Sequence, residues 1–175
     1  MWSFRRDRRG PIAPLLTALA LPMLAAGCFT PLYSESAHPG LVAEMRAIQV
    51  MPIPDRFGHY LGSDLIADLN GTGSTPLSKY RLTVKISQAV QTPTVESQIN
   101  AADAATVVGT ASFSLVQIDT GAVIVDGEAT NAAVYDRTQQ RFADLRAQRD
   151  VELRLSRALA SEIELRIAAA LADKH

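Results

Sequence analysis

One cysteine, three histidines, one Asp-Thr-Gly turn and one alternating run of basic residues are the places where this chain could do chemistry. Cys28 has no second thiol to pair with, which rules out an intramolecular disulfide framework and any zinc site built on paired cysteines. His38, His59 and His175 are isolated, with no carboxylate or cysteine at ligand spacing, so no metal site is expected. No serine stands in a nucleophile elbow, and no glycine-rich phosphate loop follows a strand. Lys79, Arg81 and Lys85 fall on one side of an alternating run. At about 6.6 Å for every two residues of a strand, they would span about 20 Å. Such a stripe could meet the phosphates of a bulky anionic lipid, or it could be an ordinary solvated sheet face.

The segment Ile118-Asp119-Thr120-Gly121-Ala122, set between apolar runs, resembles the catalytic turn of retroviral-type aspartic proteases. There, paired carboxylates from two subunits share a proton and activate water. That chemistry also needs an apolar-apolar-glycine element downstream, and the nearest such triplet, Val107-Val108-Gly109, lies upstream. A hairpin turn uses Asp and Gly for its own backbone reasons. The chain is therefore expected not to be an enzyme, with a hydrolase using Asp119 as the third reading.

The setting of Cys28 is more informative. Four arginines and one aspartate occupy the first nine residues, and Ile12 to Ala26 is apolar but for Thr17, with Pro14 and Pro22 inside it. A helix of that length reaches only about 22 Å, short of the roughly 30 Å hydrocarbon core. A basic start, a short apolar run and small residues before a cut describe a secretory signal over residues 1–27. Leu24-Ala-Ala-Gly27-Cys28 resembles a bacterial lipobox, with Leu24 one place further back than usual. That motif implies a covalent diacylglycerol and an N-acyl chain on Cys28, the new N-terminus. A free buried cysteine after an ordinary signal peptide is the alternative. Residue 29 is Phe, not Asp, which by the bacterial sorting rule implies an outer-membrane lipoprotein held from the periplasmic side. Three acyl chains, at about 0.8 kcal/mol per buried methylene, would anchor it firmly.

The whole chain has 175 residues, 47% apolar and 20% charged, with a net charge of -1. That suits one ordinary domain and is too apolar for a disordered chain. Taking away residues 1–27 leaves 13 of the 17 basic and 17 of the 18 acidic side chains. No basic field remains to attract nucleic acid, and an anionic ligand would have to find a local cluster.

Residues 28–42, rich in Pro and Ser, read as a lipidated tether, and 43–175 as a single α+β domain. Ala43 to Ile53 reads as a short strand stopped by Pro52 and Pro54. Asp55 opens a helix whose Phe57, Leu61, Leu65 and Leu69 recur every four residues, with Ile66 beside them, until Asn70-Gly71. Gly58 and Gly62 inside it cost about 1 kcal/mol each, so packing must compensate. Strands are predicted over Tyr80–Val95, Ala104–Ile118 and Ala122–Tyr135, the last two joined by a hairpin at Asp119-Thr120-Gly121. A helix from Thr138 to Asp173, with a possible break near Arg146–Gln148, carries the stripe Val151, Leu155, Leu159, Ile163, Ile167 and Leu171. Asp150–Arg154 and Glu162–Arg166 are acid-first pairs on it. The order β-α-β-β-β-α predicts a mixed four-stranded sheet packed on two helices lying on one face.

Several segments together resemble one family. They are the lipobox, Phe29-Thr-Pro-Leu-Tyr33, Ile48-Gln-Val-Met-Pro-Ile-Pro-Asp-Arg-Phe-Gly-His-Tyr-Leu61, Asp64-Leu-Ile-Ala-Asp-Leu69, Tyr80-Arg-Leu-Thr-Val84 and Val134-Tyr-Asp136. With these the chain resembles the lipopolysaccharide-assembly lipoproteins, the LptE family, over essentially all of the mature sequence. The helix start Asp55-Arg56-x-Gly58 is the most telling part, whereas Gly62-Ser63 departs from the arginine and asparagine of many members. The resemblance implies no catalysis and no cofactor beyond the acyl chains. It implies a plug inside the outer-membrane β-barrel LptD, which the lipoprotein helps to assemble, and a part in delivering lipopolysaccharide to the outer leaflet. On that reading Lys79, Arg81 and Lys85 become lipopolysaccharide contacts by charge and parity alone. An auxiliary lipoprotein of a lipid-transport ABC system is the alternative.

Overall fold

The computed structural model describes residues 39–71, 77–91, 104–138 and 140–174. The signal segment 1–27, Cys28, His38, His175 and the strand continuation 92–95 lie outside the described residues.

The chain opens with α1 (Leu41–Arg46) and β1 (Ile48–Val50), then α2 (Asp55–Asn70). Three long strands follow, β2 (Tyr80–Gln91), β3 (Ala104–Gln117) and β4 (Val123–Asp136), and α3 (Arg141–Ala172) ends the fold. The strands lie in the order β1-β2-β3-β4. β1 runs parallel to β2, with Ile48 opposite Tyr80, and the other pairs are antiparallel. The sheet is therefore mixed and four-stranded, as predicted.

The start of the described chain differs from the expectation. Residues 41–46 are helical, where the sequence suggested tether and then strand. Leu41 and Met45 share a face under either periodicity, and Ala43 decides between them. A strand would bury Ala43 with those two, but it is exposed while both are buried. Gly40 supplies the left-handed turn before the helix, at φ 83, and its carbonyl accepts the Glu44 N–H at 3.0 Å. Among the described residues the buried core thus begins at Leu41, and the strand shrinks to three residues.

The core lies between one sheet face and the two long helices. Tyr80, Leu82 and Val84 of β2 point into it, as do Ala105, Val107, Ala111, Phe113 and Leu115 of β3. The predicted stripe of α3, Val151 to Leu171, is buried at every position named, and α3 is one unbroken helix. On α2 the four-residue repeat from Phe57 to Leu69 is buried, but Ile66 is 43% exposed and lies off the packed face.

Two glycines show how tightly the layers meet. A Cβ on Gly58 would stand 2.6 Å from Ile53 Cγ2, so glycine there lets the Pro52-Ile53-Pro54 bend lie flat against α2. At Gly109 the Phe57 ring and Leu159 occupy the space that a side chain would need.

Candidate functional site: the open face of the sheet

No described helix covers the second face of the sheet, because α2 and α3 both pack on the first. Strand parity sends Arg81, Thr83, Lys85 and Ser87 of β2 to this open side. Thr110, Ser112, Ser114 and Val116 of β3 join them, with Asp126, Glu128 and Thr130 of β4. Register sorts these side chains into rows across the strands: Thr83–Ser114–Asp126, Lys85–Ser112–Glu128 and Ser87–Thr110–Thr130. In the last row the two threonine hydroxyls are 3.3 Å apart. The face is thus graded, cationic along β2, hydroxylated in the middle and anionic along β4.

The three basic residues singled out from the sequence lie together on this surface. Arg81 and Lys85 are in β2, and Lys79 is one residue before it, its N–H donating to Ala47 O at 2.9 Å. All three are exposed, and among the described residues none forms a salt bridge. Two interstrand spacings, about 10 Å, separate the backbones of Lys85 and Glu128 in its row, and the two form no salt bridge. The carboxylates of β4 went unnoticed in the sequence, although Asp126 and Glu128 alternate with the inward Val125 and Gly127.

The other sequence candidates do not join this site. Asp119 is exposed at the tip of the β3–β4 hairpin, where Gly121 takes φ 69 and donates to Gln117 O at 2.9 Å. The turn is thus explained by its own backbone. His59 is exposed on α2, and no group of three His, Cys, Asp or Glu side chains suited to a metal exists among the described residues. No described helix is long and apolar enough to cross a membrane.

Asp55 and Arg56 serve the fold. Asp55 adopts φ 68 as the first residue of α2, and the N-cap before it is Pro54, whose side chain has no polar atom for a cap bond. Arg56 donates from Nε and Nη2 to the two oxygens of Glu152, at 2.9 and 2.7 Å. This bond raises the Arg56 pKa, the carboxylate's attraction adding to it. Along the same helix contact, Arg149 Nε donates to Tyr60 Oη at 3.0 Å, and Ser156 Oγ to Asp64 at 2.6 Å. A cleft of about 290 Å³ opens beside Glu152, lined also by Gln88, Val90, Val107, Tyr135, Arg137 and Gln148. Its lining is mostly polar, with one arginine among it.

Three solved structures overlay on this architecture. A protein assigned as a lipoprotein in Caulobacter crescentus CB15 matches with a TM-score of 0.63 and 23% identity, over 78% of this chain and 98% of its own. Rare lipoprotein B of Shewanella oneidensis matches at 0.53 and 12% identity, over 73% and 98%. A minor lipoprotein of Acinetobacter baumannii matches at 0.51 and 13% identity, over 71% and 92%. The chain shares the fold of bacterial lipoproteins. No protein-family model matches the sequence, and no curated protein does so. The match takes in nearly the whole of each of the three structures.

Proposed function

We propose that this protein is an outer-membrane lipoprotein of the LptE kind. On this reading it is tethered through acyl chains on Cys28, fills the lumen of the LptD β-barrel and helps it to assemble, and takes part in passing lipopolysaccharide to the outer leaflet. The observation that carries the proposal is the open sheet face. It is long, uncovered by any described helix, and built from hydroxyls and charges in register, the surface a water-lined lumen accepts. The lipobox, the sequence resemblance and the fold shared with bacterial lipoproteins support the same reading. Lys79, Arg81 and Lys85 would meet the phosphates of lipopolysaccharide at the β2 margin of that face. The acyl chains are the only added groups the proposal requires, and it assigns no catalysis.

The test is a pull-down of the tagged full chain from detergent-solubilised membranes, with partners identified by mass. Recovery of a large outer-membrane barrel in a one-to-one complex is the expected result. Recovery with inner-membrane transporter subunits would replace the proposal by the auxiliary-lipoprotein reading, and recovery alone would remove the barrel from it.

A further inference from the structure

Exposed apolar side chains of the strands gather toward the two ends of the sheet. At the lower end, where β2 begins, Leu77, Ile118 and Val123 are 95%, 36% and 57% exposed. They lie close together. The Ile118 N–H donates to Lys79 O at 2.9 Å, two residues beyond Leu77, and Val123 stands opposite Val116 just across the hairpin. An ammonium flanks this edge on each face of the sheet. Lys79 is on the open face, and Lys174, at the end of α3, donates to Gln117 Oε1 at 3.3 Å on the packed face, beside the Tyr80 ring.

The chain enters the domain at the same end. Ala47, just after α1, accepts the Lys79 and Tyr80 N–H groups at 2.9 and 3.3 Å, and α1 shares a cleft with Asp68 to Gly71, where α2 ends. Chain length alone keeps Cys28 within about 40 Å of Gly40, a reach that permits contact with a membrane but does not impose it. The upper end is further off. Phe142, 84% exposed, lies near the start of α3, whose 32 residues rise about 48 Å from the lower end.

We infer that the lower end of the sheet is a lipid-contact surface, with Leu77, Ile118 and Val123 set into the headgroup layer of the phospholipid leaflet that holds the anchor. Aliphatic tips between two ammonium groups suit that layer, where the tips meet the acyl boundary and the cations meet phosphates. Asp119, exposed at the hairpin tip, keeps the contact at headgroup depth, because a carboxylate does not enter hydrocarbon. The inference rests on the Cys28 anchor of the proposed function and not on its barrel, so either can fail alone.

Tryptophan fluorescence tests it. Trp2 is the only tryptophan and falls within segment 1–27, so one placed in the mature domain reports alone. Leu77→Trp, Val123→Trp and Phe142→Trp are made in the full acylated chain, at positions whose exposure leaves the core intact. Each is reconstituted into phosphatidylethanolamine–phosphatidylglycerol vesicles, with or without bromine on the lipid tails. Emission from positions 77 and 123 should shift to the blue and lose intensity to bromine, and emission from position 142 should do neither. A mass spectrum of each sample reports acylation, which separates a missing anchor from a missing contact. No barrel is present, so the outcome of the pull-down does not bear on this one. An unmodified Cys28, emission from 77 and 123 untouched by bromine, or equal quenching at position 142 would overturn the inference.

Discussion

Arg56 grips Glu152 with two parallel hydrogen bonds, and the two partners stand in unlike surroundings. The arginine side chain is 64% exposed, whereas that of the glutamate is 10% exposed. The carboxylate is therefore the dependent member, because its charge has been taken from water and the guanidinium replaces part of that hydration.

Removing the arginine should harm the fold more than a surface ion pair would suggest. Arg56→Ala is expected to destabilise by about 2 kcal/mol, since it leaves a carboxylate largely out of water without its hydrogen-bonded cation. Arg56→Met combined with Glu152→Leu should recover most of that loss. Urea denaturation of the two variants and the parent measures both effects.

Gly58→Ala should destabilise although alanine is the better helix former. The new methyl would fall 2.6 Å from Ile53 Cγ2 and 3.1 Å from the Ile53 carbonyl carbon, so α2 must shift. Overpacking of this kind costs about 1–3 kcal/mol, more than the propensity gain of about 1 kcal/mol. Ile53→Ala in the same chain removes the closest clash, so the double variant should lose less than the sum of the single ones in thermal melts.

Asp68 supplies a pH signature. Burial raises its pKa, and the neighbouring charge of Asp64 raises it further. A carboxyl with a raised folded-state pKa holds its proton more readily folded than unfolded, so its ionisation opposes folding at neutral pH. That opposition fades as pH falls through the raised value. Asp68→Asn should therefore raise the melting temperature at neutral pH, with the gain vanishing at about pH 3, below the ordinary carboxylate value. A gain independent of pH would assign the effect to something other than this charge.

Charge changes on the open face separate the proposed lipopolysaccharide contact from a merely solvated surface. Lys85→Glu should weaken capture by lipopolysaccharide-containing vesicles by about tenfold, the size of one charge-assisted hydrogen bond. Asp126→Lys, on the anionic margin of the same face, should strengthen capture. Both effects should shrink as salt is added. Unchanged capture in both variants would take Lys85 and its neighbours out of the proposed site.

The amino-acid sequence by itself determined the elements and their inward faces, because helix and strand periodicities leave unambiguous marks over long runs. The α3 stripe from Val151 to Leu171, the α2 repeat from Phe57 to Leu69 and the alternation of β2 are all local patterns of that kind. Where the run was short the signal failed. Leu41 and Met45 satisfy both periods, and only the packing of Ala43 outward made residues 41–46 a helix. The pairs Asp150–Arg154 and Glu162–Arg166 were visible as helix-surface pairs, but their reach to β4 was not. It depends on α3 lying beside the sheet edge, a long-range juxtaposition that no local spacing encodes. Register is likewise tertiary. Lys79, Arg81 and Lys85 shared a face by parity alone, whereas the opposition of that cationic margin to Asp126 and Glu128 arose from how three strands align.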